Sequence, residues 1–196
     1  MQFADVVRRR RMVRSFDGRP LGASTVDRLL ATMHRAPSAG YTQGTELLVL
    51  EGAEQTGRYW EACLPADRRE AFAWPGLLRA PLLVVVLASR QAYVERYAEP
   101  DKGGAAGAAL PGPVPYWHVD AAFGALLGLL AAVDAGLGAV FFAVREPAAL
   151  AAEFGIPERF EPVGTVAVGH PADDRPSGSL ARGRRPVGDV VHRGRW

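Results

Sequence analysis

Apolar positions along the chain fall into helix-spaced sets separated by short unbroken runs. Phe3, Val6 and Val7 predict a short helix over residues 2–9. A turn is expected at Asp17-Gly18-Arg19-Pro20. Val26, Leu29, Leu30 and Met33 then recur at helical spacing, with Ser24 as expected N-cap, Asp27 in the capping-box position and Pro37 as the stop. Leu47–Leu50 reads as a buried strand, and residues 53–63 and 67–72 read as helices. The clearest strand spans 81–87, where Leu82-Leu83-Val84-Val85-Val86-Leu87 has no polar interruption and must be covered on both faces. A helical turn is expected over 90–97.

The second half opens with a different texture. Residues 99–117 are rich in Gly, Ala and Pro up to Pro115, the composition of a binding or lid loop. From His118 to Ala135 the pattern is apolar nearly all round: Phe123, Leu126, Leu127, Leu129, Leu130 and Val133, interleaved with Gly124 and Gly128. A helix without a polar face is buried on all sides, and in a chain this small another subunit would supply part of that cover. Strands are predicted over 139–144 and 162–169, with a helix over 147–154 between them. The tail from Ser177 to Trp196 is irregular. Helices flanking a few buried strands give an α+β sandwich, and residues 1–196 read as one domain.

Composition narrows the function classes. The 196 residues are 48% hydrophobic and 22% charged, with net charge +2. That is ordinary globular composition, and the low net charge argues against a general nucleic-acid role. The single cysteine, Cys63, leaves no internal disulfide and no Cys/His metal spacing. The first residues lack a signal-peptide core, and the longest apolar run, Ala121 to Val133, falls short of the about 20 residues that span a bilayer. A cytoplasmic protein without membrane attachment is expected.

The cations are concentrated. Arg8, Arg9, Arg10, Arg11 and Arg14 crowd one short stretch, and Arg182, Arg184 and Arg185 form a second cluster near the other end. Guanidinium groups this close repel one another unless an anion sits among them, and the planar Arg fork matches phosphate oxygens in pairs. A solvated charged helix end, or an arm for nucleic acid, is the plainer alternative. Between the clusters lies the low-bulk loop Ala36-Pro37-Ser38-Ala39-Gly40-Tyr41-Thr42-Gln43.

Arg-Arg-x-x-Arg-x-Phe near the start, Ala-Pro-Ser-Ala-Gly-x-x-Gln, a Gly-Leu-Gly after the long apolar helix, and Arg-x-Arg-x-Pro near the end together resemble the FMN-dependent nitroreductase family. The resemblance spans nearly the whole chain. It implies a mixed, mostly antiparallel sheet flanked by helices, in an intertwined homodimer with flavin sites at the interface. Arg10, Arg14, Arg182 and Arg184 would then hold the FMN phosphate, with Arg11 beside them. Pro37, Ser38, Ala39 and Gln43 would touch the flavin from the other protomer, and the main chain at Phe142-Ala143 would lie beside its reactive N5. Tyr41, Tyr116, Trp117 and Phe141 would shape the substrate pocket, and His118 is a candidate proton donor. Met12 stands where the family often has Ser, Tyr41 where it often has Asn, and Gly44-Thr45 where it often has Pro-Trp.

With the chemistry carried by a cofactor, no triad or metal set is required. The expected activity moves a hydride from NADH or NADPH through FMN to a nitroaromatic or quinone. Alternatives are a dehydrogenase of the same fold, a flavin-fragmenting relative that makes the benzimidazole of cobalamin, and a flavin-sequestering protein without turnover.

Overall fold

The unbroken apolar run of the first half becomes the innermost strand. A computed structural model describes residues 1–102 and 113–196. Along the chain the elements are α1 (Phe3–Arg9), α2 (Ala23–His34), β1 (Thr45–Glu51), α3 (Gly52–Cys63), α4 (Ala66–Arg69), β2 (Leu82–Ala88), α5 (Arg90–Tyr97), α6 (Tyr116–Asp134), β3 (Gly138–Phe142), α7 (Pro147–Phe154) and β4 (Glu161–Gly169). The four strands form one sheet in the order β1-β2-β4-β3, and every pairing is antiparallel. One row across it reads Val49, Val84, Val166, Phe141. Among the described residues, the one parallel pairing is an isolated bridge from Met12 to Ala139.

Alternate residues of β2 feed two apolar layers, as the pleat requires. Leu82, Val84 and Val86 pack with α2 and α6, while Leu83, Val85 and Leu87 pack with α3, α7 and the turn at Pro75–Arg79. All seven β2 residues are buried. At roughly 1.5–3 kcal/mol per fully buried aliphatic side chain, this strand is a major source of stability. The α2–α6 contact depends on small residues: a Cβ at Gly128 would come 2.8 Å from Met33 Sδ.

Two expectations change. Gly22, not Ser24, precedes α2, and no side chain caps that end, because the helix begins two residues early at Ala23. The long helix starts at Tyr116, so Tyr116 and Trp117 form its first turn rather than the end of the 99–117 loop; residues 103–112 of that loop lie outside the described residues. Within one protomer this helix is covered on one face. Ala121, Ala125, Leu129 and Ala132 are in the core, but Phe123 is 42% and Leu126 47% exposed. By length and composition alone α6 could cross a membrane; its buried face against the sheet makes it a core helix here.

Candidate functional site

Two cavities flank the sheet, and several residues expected to hold a cofactor divide between them. The first, about 750 Å³, lies between the end of α2, β1 and Asp120 of α6; Pro37, Ser38 and Gln43 line it. The second, about 450 Å³, is lined by Arg14, Phe141, Phe142 and Ala143 together with the aromatic side of α3. They lie on opposite faces: Leu47 and Val49 wall the first and pack with the α2/α6 layer, whereas Tyr59, Cys63 and Val140 wall the second and belong to the α3/α7 layer.

The loop beside the first cavity is held in a costly backbone conformation. Gly40, Tyr41 and Gln43 have φ of 64°, 56° and 54°. Glycine adopts that region freely; for the other two it costs of order 1 kcal/mol or more each. Local bonds hold the shape: Ser38 Oγ accepts from the Gln43 N–H at 2.9 Å, and Thr42 Oγ1 donates to the Ala39 carbonyl at 2.6 Å. Arg96 Nε donates to the Gly40 carbonyl at 3.0 Å while its Nη atoms grip both oxygens of Asp101.

Asp120 anchors the loop to α6. Only 4% exposed, its Oδ2 accepts from the Ala39 N–H at 2.7 Å and from the Tyr93 hydroxyl at 2.6 Å. Burial and the Asp120 carboxylate push the Tyr93 phenol up, so it stays a proton-bearing donor. Tyr93 also accounts for Gly44, one of the departures from the family pattern: a Cβ at residue 44 would come 2.7 Å from Tyr93 Cε2.

The second cavity is an aromatic box with a cationic mouth. Trp60 stacks on Phe142 at 5.7 Å and 13°, and Tyr59 meets Trp60 edge-on at 5.0 Å. Tyr59 and Thr165 share a buried hydroxyl–hydroxyl bond of 2.9 Å. The Cys63 thiol is pushed up to about 11 by burial and stays protonated near neutral pH. At the mouth, the Arg14 guanidinium lies 5.0 Å from the Trp74 ring centre, and Arg145 is a further lining cation. Among the described residues, no carboxylate lines this cavity.

The remaining expected residues are placed elsewhere in the protomer. Arg11 lines a small cleft of about 150 Å³ with Arg9, beside Gly136–Ala139, and Arg10 is partly exposed. Arg182 ends a 3-10 turn at Gly178–Arg182, and both it and Arg184 are exposed; of the four expected phosphate arginines, Arg14 alone lines one of the two cavities. Tyr41 is 76% exposed. Trp117 packs near Tyr93, with Arg90 over its ring, and His118 Nε2 is 2.8 Å from Glu161 Oε1. None of Tyr41, Tyr116, Trp117 and His118 lines either cavity. Asp120, Tyr93, Arg96 and Trp74 were not anticipated. Asp120 alone left a trace, as the acid at the edge of an apolar run.

A flavin mononucleotide fits what is present. The second cavity offers flat aromatic walls and guanidinium donors for a ring carrying an anionic group. Trp60 lines it, and its indole N–H is buried with no acceptor among the described residues. No group of His, Cys, Asp and Glu able to hold a metal occurs among the described residues.

Comparison with known proteins bears on family and fold. A model of the nitroreductase family matches residues 7–170. A 5,6-dimethylbenzimidazole synthase from Rhodospirillum rubrum is 28% identical over 194 residues, covering 90% of this chain and 87% of the relative. Among solved structures, a nitroreductase family protein from Clostridium difficile superposes with a TM-score of 0.73 at 18% identity, over 100% of both chains. An FMN complex of a proposed nitroreductase from Desulfovibrio desulfuricans superposes at 0.71 with 22% identity, over 97% of this chain and 95% of that one. At these identities the structural likenesses establish the fold.

Proposed function

Because this chain belongs to the nitroreductase family, we propose that it is an FMN-dependent oxidoreductase that takes a hydride from NADH or NADPH and passes electrons to a flat, electron-poor acceptor of nitroaromatic or quinone type. The observation that carries this is the division of the expected cofactor residues. Pro37, Ser38 and Gln43 face one cavity, and Arg14, Phe142 and Ala143 face another on the far side of the sheet. One ligand would reach both sets across two copies of the chain. The exposed apolar face of α6 and the tail residues Leu180 and Val187, 71% and 73% exposed, support such a homodimer.

When bound, FMN supplies the two-electron chemistry. The chain's own residues do the rest. Trp60 and Phe142 make an apolar wall that excludes water from a planar ring. Arg14 places a permanent positive charge at its edge. Ser38 and Gln43, fixed by the Asp120 anchor, bring hydrogen-bonding groups from the second copy. Stacking of donor and acceptor in turn against one ring predicts ping-pong kinetics.

The test is the visible spectrum of the purified protein under anaerobic titration with NADH and then NADPH. Flavin bands that bleach, and steady nicotinamide oxidation once a quinone is added, support the reading. A protein that stays colourless after incubation with FMN ends it. Bands that persist with both nicotinamides favour flavin sequestration.

The Rhodospirillum rubrum relative favours a second reading, in which reduced flavin is the substrate and 5,6-dimethylbenzimidazole the product. It predicts that, after reduction and exposure to air, flavin absorbance fails to return and the benzimidazole is found by mass spectrometry. Full recovery of the flavin spectrum excludes it.

A further inference from the structure

We propose that Arg175 and Arg14, whose guanidinium carbons both lie over the Trp74 ring, form a fork for a phosphate monoester beside the aromatic cavity that Arg14 and Trp74 line. This rests on the flavin reading above and adds a residue to it. Arg175 lies outside both arginine clusters of the sequence, between Asp174 and Pro176.

Backbone pairing delivers it. Residues 170–174 run antiparallel beside residues 14–17: the Asp17 N–H donates to the His170 carbonyl at 3.1 Å, the Ala172 N–H to the Ser15 carbonyl at 3.0 Å, and the Arg14 N–H to Asp174 Oδ2 at 2.7 Å. Phe16 and Pro171 form the bridge between the two segments. The next residue along, Arg175, arrives at the indole that Arg14 also touches. Its guanidinium carbon lies 4.6 Å from the Trp74 ring centre, against 5.0 Å for Arg14.

Contact with an aromatic ring leaves the five N–H donors of a guanidinium for other partners. Each group spends few of those donors. Arg175 Nη2 donates to the Ala73 carbonyl at 2.6 Å, and Arg14 Nη1 makes a long 3.3 Å contact to the Met12 carbonyl. Neither makes a salt bridge among the described residues. The one nearby carboxylate with a defined contact, Asp174, is engaged by the Arg14 backbone. Two guanidiniums held at one indole, with unspent N–H donors beside an aromatic cavity, match an aromatic ligand that carries a phosphate. Holding them there before the ligand arrives lowers the ordering cost of capture. The phosphate is that of FMN or the 2′-phosphate of NADPH.

Dissociation constants for FMN and riboflavin, read by flavin fluorescence, separate this from a purely structural clamp. Arg175→Ala should weaken FMN at least about tenfold, the worth of one charge-assisted hydrogen bond, and riboflavin less than twofold. Arg175→Lys, which keeps the charge but loses the planar fork, should fall between; Arg195→Ala in the tail should match wild type. Unchanged FMN binding with a raised KM for NADPH but not NADH sustains the fork with the reductant as the phosphate source. Equal loss of FMN and riboflavin binding, or no change in FMN, NADH and NADPH parameters, overturns it. A wild type that binds neither flavin ends the flavin reading alone. Inorganic phosphate then decides: tryptophan emission that responds in wild type but not in Arg175→Ala upholds the fork, and no response in either overturns it.

Discussion

Removing the Asp120 carboxylate should loosen the loop that lines the first cavity. Its Oδ2 serves two donors, the Ala39 N–H at 2.7 Å and the Tyr93 hydroxyl at 2.6 Å. In Asp120→Ala both lose their partner inside the protein, at roughly 1–3 kcal/mol each. The expected loss is therefore about 2–6 kcal/mol, a large fraction of the 5–15 kcal/mol typical of a folded domain. Asp120→Asn keeps one acceptor oxygen but not the charge, and should cost about 1–2 kcal/mol. Urea denaturation at fixed protein concentration measures both, since any assembly makes apparent stability depend on concentration. Tyr93→Phe closes a double-mutant cycle with a coupling of about 1 kcal/mol or more. FMN affinity should fall with Asp120→Ala, because Ser38 and Gln43 lose their fixed positions. A loss under 1 kcal/mol together with additive behaviour in the cycle would refute the anchor.

Gln43→Gly should be roughly 0.5–1 kcal/mol more stable, because glycine accepts the observed φ of 54° without strain, yet it should bind FMN more weakly for want of the amide; a less stable variant contradicts the strain argument. Cys63 should react with a disulfide reagent at pH 8 far more slowly than the same thiol in urea, and equal rates would show it is not held protonated by burial. With its folded value raised from about 9 to about 11, its contribution to stability is complete below pH 9 and is lost as pH rises through 11, visible as a falling Tm over that window. Phe123→Glu combined with Leu126→Glu should keep the helical circular dichroism but sediment as a monomer; a dimer that persists places the subunit contact elsewhere.

Most of the frame was legible because it is set by local pattern. An unbroken run such as Leu82–Leu87 can only be a strand covered on both faces, and the spacing of Val26, Leu29 and Met33 can only bury one side of a helix. Boundaries were less legible where the expected cap is not used: Ser24 lies inside α2, and the real side-chain cap, Ser89 Oγ accepting the Ala92 N–H, starts α5. At the candidate site, Pro37, Ser38, Gln43, Arg14, Phe142 and Ala143 were expected from the family resemblance, and they line the two cavities. The anchors were not. The bonds from Asp120 to Ala39, Arg96 to Gly40 and Tyr93 to Asp120 span 81, 56 and 27 residues, and Trp74 gains its meaning only when Arg14 and Arg175 converge on it. Tyr116 and Trp117 were misjudged for the opposite reason: the proline-rich composition before them hid the first turn of α6.

The strand order also sets a schedule. β4 is the last strand to leave the ribosome, yet it lies between β2 and β3 and is the neighbour both require. Until residues 161–169 emerge, β2 can pair only with β1, and one edge of the most apolar strand in the chain stays open. β3, made only about 20 residues before β4 pairs with it, has no other strand partner among the described residues. Closure of the sheet therefore waits for the end of synthesis, and pairing across so much sequence is slow. A nascent or truncated chain that stops short of Glu161 should present β2 as a sticky edge and demand chaperone cover. The same central placement that makes β4 the keystone of the finished sheet makes its absence the route to aggregation.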